Sequence, residues 1–234
     1  MIKNILVPCL GTIVFWSFFM FAAQVNAFNE INIGYGYAFP LKDFESAETD
    51  FPPEGIAQNG KEFSIDYRTT LLRDLYWGGR GHFSTFRGNK EPVENYLANT
   101  AESFEEVDIS NWHLFSIALT LGYKYQSDNY ELDGQIGFGP HTTLFPSIES
   151  NFTSEDGSHS MSIERTGDIS WAGFVSFSPR LTIRSFSIGP EINILLTGHD
   201  FGEGIIESDF EEIDNQYDPA ISTLNTKIVA GLKF

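Results

Sequence analysis

The C-terminal segment Ile221 to Phe234 alternates residue by residue, and this constrains the fold of the chain more than any other feature. One face carries Ser222, Leu224, Thr226, Ile228, Ala230, Leu232 and Phe234. The other carries Thr223, Asn225, Lys227, Val229, Gly231 and Lys233. In a strand the two sets point to opposite sides. Seven further segments repeat the pattern: Glu30 to Phe39, Glu62 to Leu72, Leu75 to Thr85, His113 to Tyr125, Tyr130 to Thr142, Ile169 to Ile183 and Phe186 to Thr197. A soluble sandwich would bury its apolar sets against another layer, and no remaining segment can cover eight of them. The arrangement that fits is all-β: an eight-stranded antiparallel up-and-down transmembrane β-barrel, with lipid outside and polar residues inside.

The connections alternate in length. Arg73-Asp74, Gln126 to Asn129, and Arg184-Ser185 read as tight turns, whereas Pro40 to Lys61, Phe86 to Asn111, Thr142 to Asp168, and Gly198 to Ala220 read as long loops. Short periplasmic turns and four long extracellular loops follow for a bacterial outer-membrane barrel, with both termini periplasmic. Eight strands predict an interior filled by side chains. Pro179 and Pro190 fall on outward positions and predict bulges or strand ends. Pro92 to Val107 reads as a short helix in the second loop.

Met1 to Ala27 reads as a signal peptide: Lys3, an apolar stretch from Ile5 to Ala23, and the small-residue site Val25-Asn26-Ala27. The rival reading is an uncleaved membrane helix. The barrel domain is then 28–234. The single cysteine, Cys9, lies in the leader, so the expected mature chain has neither a disulfide framework nor thiolate chemistry. Outward aromatics form two levels. Trp77, Tyr123, Tyr125, Tyr130 and Phe234 lie near the turns, and Tyr37, Phe39, Phe63, Phe138 and Trp171 near the loops, as interfacial girdles do.

The formal charge of −18 is concentrated in the loops, which hold 24 of the 32 acidic residues. The last loop contributes Asp200, Glu203, Glu207, Asp209, Glu211, Glu212, Asp214 and Asp218 with no lysine or arginine. The plain reading is a solvated, self-repelling surface. The sharper one is divalent-cation binding, alone or bridged to lipopolysaccharide, although no calcium-loop spacing is present. A field of this sign disfavours nucleic acid.

Parity pairs the inward charges, because residues directly opposite in a hairpin share a face. It sets Tyr125 opposite Tyr130 and Lys124 opposite Glu131. It sets Leu71 opposite Leu75 and Asp66 opposite Arg80, and it leaves Arg180 diagonal to Glu191. These six charges are expected to form a structural lumen network.

The most enzyme-like constellation is His82-Phe83-Ser84, in which period two puts a base and a hydroxyl on one face. It resembles the His-x-Ser of outer-membrane lipid A deacylases, which would imply His82 as base and Ser84 as nucleophile. The following asparagine of that family is missing, and the triplet points to the lumen instead of lipid. Structural polar residues are the preferred reading. The other histidines lack metal-ligand spacing, and neither metal nor cofactor is expected. Gly34-Tyr35-Gly36 and Gly78-Gly79 lie inside strands, where they predict room for bulky lumen neighbours or a bend.

The last strand, with Leu232 and the terminal Phe234, resembles the assembly signal of bacterial outer-membrane barrels, which implies recognition by the barrel-assembly machinery. The architecture resembles the OmpA/OmpX/opacity-type surface proteins. That likeness implies a structural or surface-interaction role, adhesion or envelope integrity, without catalysis. Two rivals are a lipid A-modifying enzyme and a small solute channel.

Overall fold

The computed structural model describes residues 29–41, 57–72, 74–154, 157–166, 169–199, 202–208, 213–217 and 220–234. The expected leader, 1–27, lies outside them, as does most of the loop Pro40 to Lys61. In chain order the strands are β1 (Asn29–Leu41), β2 (Ala57–Leu72), β3 (Leu75–Gly88), β4 (Ser103–Phe104), β5 (Asp108–Ile109), β6 (Trp112–Ser127) and β7 (Tyr130–Leu144). They continue with β8 (Ile148–Ser154), β9 (Gly157–Thr166), β10 (Ile169–Ile183), β11 (Phe186–His199), β12 (Gly202–Ser208), β13 (Ile213–Tyr217) and β14 (Ala220–Lys233). One helix, α1 (Glu91–Thr100), lies between β3 and β4.

Eight of these strands close into an antiparallel barrel in the order β1-β14-β11-β10-β7-β6-β3-β2. Closure joins β1 to β14 through Ile31 opposite Leu232, and through reciprocal backbone bonds between Asn29 and Phe234 of 3.2 and 2.9 Å. Leu232 and Phe234 therefore sit on the closing seam. Ile33, Ile65, Leu119, Ile136, Val175, Ile192 and Ile228 project from the wall, each 48% to 60% exposed. In water so wide an apolar belt would drive association; in a bilayer it meets its own kind, and a closed sheet leaves no unpaired edge there. Among the described residues no helix is long and apolar enough to cross a membrane. The two aromatic levels are in place, with Phe138 and Trp171 stacked at 5.2 Å near the loop end.

The loops depart from expectation. Three of them contain strands, and a second sheet runs β13-β12-β9-β8-β4, with β5 also pairing β8. Period two is present in two of these pieces, with Ile148, Ser150 and Phe152 against Glu149, Asn151 and Thr153 in β8 and Ser158, Ser160 and Ser162 against His159, Met161 and Ile163 in β9, and it was the signal for them. The helix ends at Thr100 instead of running to Val107, where β4 and β5 replace its continuation. Pro92 sits in its first turn, where a missing N–H is harmless.

Two local registers differ as well. The β6–β7 turn is the two-residue Asp128-Asn129, which sets Lys124 opposite Asp133 and Gln126 opposite Glu131, correcting the expected Lys124–Glu131 pair. A bulge after Thr70 sets Leu72 instead of Leu71 opposite Leu75, while Asp66 keeps its place opposite Arg80.

Pro179 and Pro190 mark neither bulges nor strand ends. They occupy opposing positions inside β10 and β11, between the paired Phe177–Ile192 and Leu181–Ile188, and backbone pairing lapses across them without a shift of register. The Ser178 hydroxyl donates to the Pro190 carbonyl at 2.8 Å, supplying a donor where proline has none.

Candidate functional site: the ionic lumen and its cap

Inward positions of the barrel hold six carboxylates, Glu30, Glu62, Asp66, Glu131, Asp133 and Glu191, and six cations, Arg68, Arg80, Lys124, Arg180, Lys227 and Lys233. The charges balance, which is the condition for placing so many in a sealed space. Arg80 lies at the centre. Its Nε and Nη2 donate to Asp66 at 2.8 and 2.6 Å, and its Nη1 and Nη2 donate to Glu191 at 2.8 and 3.1 Å. Such forked bonds hold a guanidinium in one orientation. The Phe174 ring lies 4.8 Å below it.

The remaining charges extend this core across the lumen. Arg68 donates to Asp133 and to Asp66, the latter at 3.1 Å, and lies over the Tyr76 ring. The Tyr76 hydroxyl donates to the other oxygen of Asp133. Arg180 reaches Asp133 at 3.0 Å, Asn32 at 2.6 Å and Glu191 at 3.6 Å. Lys227 links Glu62 to Glu191. Nearest the turns, Lys124 bonds Glu30 at 2.6 Å and Lys233 bonds Glu131 at 2.7 Å.

Glycines make this packing possible. A side chain at Gly122 would fall 2.2 Å from the Tyr76 ring, and one at Gly137 the same distance from Phe174. Each glycine leaves space for the aromatic beside it.

All six expected network residues are therefore inside, but their partnerships are wider than hairpin parity implied. Lys124 and Glu131 each pair with other strands. Glu30, Glu62, Arg68, Asp133, Lys227 and Lys233 belong to the same cluster, and the unabsorbed inward charges of the alternating segments were the signal for them.

His82 and Ser84 are both buried in the lumen. His82 Nε2 lies 3.3 Å from Glu62 and 3.5 Å from Asn225, and the Ser84 hydroxyl has no hydrogen-bond partner among the described residues. Base and hydroxyl are thus not joined, and neither faces lipid. No three His, Cys, Asp or Glu side chains converge as a metal-ligand set among the described residues. The side chains of the acidic run from Asp200 to Asp218 lie outside them.

Above the charges an apolar cluster fills part of the loop end, while the inward His141, Thr143, Ser170 and Thr223 keep the rest of that level polar. Ala38, Phe86, Trp112, Leu114 and Ile221 from the strand ends pack with Val93 and Leu97 of α1, Val107, Phe145 and Ile148. Trp112 meets Phe145 edge-on at 5.2 Å. The helix repeats its apolar residues four apart, so Val93 and Leu97 fall on one face and cover the mouth. Sequence reasoning missed this cap because its parts come from four separate segments. The outer layer beyond it presents polar ladder pairs, Glu149–Ser162, Asn151–Ser160 and Thr153–Ser158, with Asn151 donating to Glu105 at 2.8 Å.

No family model and no curated protein matches the chain. Among solved structures it is similar to Ail, the attachment invasion locus protein of Yersinia pestis, at 15% identity and a TM-score of 0.41, covering 90% of this chain and 100% of that one. It is also similar to a major outer membrane protein of Thermus thermophilus, at 11% identity and 0.44, covering 90% and 100%. A third is the outer membrane protease OmpT of Escherichia coli, at 8% identity and 0.41, covering 90% and 98%. At identities this low the names of those proteins say nothing about the task of this one.

Proposed function

We propose that the chain is an integral outer-membrane surface protein, anchored by its barrel and acting through its loop-end layer without catalysis or conduction. The carrying observation is a lumen closed twice, by a charge-balanced plug and by an apolar cap above it. A channel needs a continuous wetted path, and a hydrolase needs a nucleophile in contact with its base. The plug opposes the first and the unpartnered Ser84 opposes the second.

In this reading the loops face outward and the termini inward. The partners are outer-membrane lipid and lipopolysaccharide, the barrel-assembly machinery, divalent cations at the acidic loops, and a host or environmental ligand on the polar sheet. The role is contact or envelope integrity. Planar-bilayer recordings of the purified chain are expected to give no steady conductance, and lipid A mass spectra of cells with and without it are expected to match. Stable current, or altered acyl chains that depend on Ser84, would overturn the reading.

A further inference from the structure

All carboxylates of the eight barrel strands among the described residues point into the lumen, and only two of their Lys and Arg side chains, Lys61 and Arg87, point out of the wall. Both lie at the loop end of the β2–β3 hairpin. Lys61 is the register partner of Thr85, so Arg87, two residues on, is its diagonal neighbour, about 7–8 Å away.

What surrounds them is ordered in rows. Tyr35, Phe63, Phe83 and Phe115 are successive register partners on β1, β2, β3 and β6, all outward and 42% to 58% exposed. Two residues nearer the loops, the next row reads Tyr37, Lys61, Thr85, His113. A band of four rings thus gives way in one step to hydroxyl, ammonium, hydroxyl and imidazole. The His113 ring stacks on Phe83 at 6.0 Å, which ties the two rows together. The facing wall differs: the loop ends of β7, β10, β11 and β14 turn Thr142, Leu144, Ile169, Trp171, Leu196 and Leu224 outward, with no cation.

Two cations on the lipid face of so acidic a chain have no carboxylate partner among the described residues, and they stand where hydrocarbon meets headgroup. An anion supplied by the membrane matches both the charge and the depth. We propose that this wall binds a phosphorylated lipid of the outer leaflet, with its phosphate between Lys61 and Arg87 and its acyl chains along the Tyr35–Phe115 row. The site rests on the outward orientation of the loops given above, and it would make the lipid shell of the barrel one-sided.

The test is native mass spectrometry of the full chain in detergent micelles, offered phosphorylated lipid A or its dephosphorylated form. The wild-type chain is expected to retain the phosphorylated lipid selectively. The double variant Lys61→Gln/Arg87→Gln is expected to lose about 30-fold in retention and each single variant about fivefold, while Arg184→Gln at the opposite end loses nothing. Equal retention of the two lipids by the wild-type chain would overturn the site without recourse to any variant. So would full retention by the double variant, or release of the lipid by millimolar inorganic phosphate, which would assign the cations to a free anion. A chain that folds in buffer without detergent would instead sink the outer-membrane reading itself, so the two failures are distinguishable.

Discussion

Toward the turn end the barrel interior is filled by Arg68, Arg80 and Arg180 with their carboxylates; toward the loop end the same inward positions hold Phe86, Leu114 and Ile221 beneath α1. The two fillings are held together by different physics. The lower one is stable only while every charge has its opposite, because an unmatched ion in a dry lumen keeps its desolvation cost and loses its compensation. The upper one is non-directional and depends on volume and apolar area. The lower filling therefore fixes which strands face one another, and the upper one joins the loop segments to the barrel.

The largest expected effect breaks the lower side of this comparison. Asp66→Asn removes a partner of both Arg80 and Arg68, and it is expected to cost about 3–5 kcal/mol in denaturant titrations of the reconstituted barrel. A change below about 1 kcal/mol would mean that water reaches the site and that the contrast with the cap is false. Next, Leu97→Ala is expected to cost about 2–4 kcal/mol of local cap stability. Hydrogen exchange would register it as faster amides in 91–100 while the barrel strands keep their protection. Simultaneous loss of barrel protection would show that the two closures are one cooperative unit.

Smaller changes sharpen the same contrast. Gly122→Ala would push against a Tyr76 ring held by Asp133, for a loss of about 1–3 kcal/mol in the same titration. Ser84→Ala, which removes a buried hydroxyl without a partner, is expected to shift the midpoint by less than about 1 kcal/mol in either direction. A large loss there would reveal a role for the hydroxyl that the unjoined His82 does not suggest.

The wall was legible because period two is a local property: each segment announces its own faces, and lipid imposes the same rule on all eight. Asp66–Arg80 was legible for a related reason, since a hairpin relates two segments through one short turn. Lys227–Glu62, Lys124–Glu30 and Arg68–Asp133 were not, because they depend on the stagger at which the sheet closes, a property of the whole cylinder. The Lys124–Glu131 pairing failed by one assumption, the length of the turn at Asp128-Asn129. The cap failed differently. Val93 and Leu97 sit among acidic residues, and only contact with Trp112 at the start of β6 and Phe145 of another loop makes them a core.

The facing prolines carry a consequence for how the cylinder holds together. A closed sheet offers no margin on which a residue without an N–H can rest harmlessly, so Pro179 and Pro190 leave one stretch between two staves unlaced. Arg180 donates to the Ser178 hydroxyl at 2.9 Å, and that hydroxyl in turn grips the Pro190 carbonyl. A guanidinium of the interior thereby acts as a splint for the weakest join in the shell. Taking it away would empty part of the bore and, in the same stroke, free those two staves to part toward the surrounding lipid.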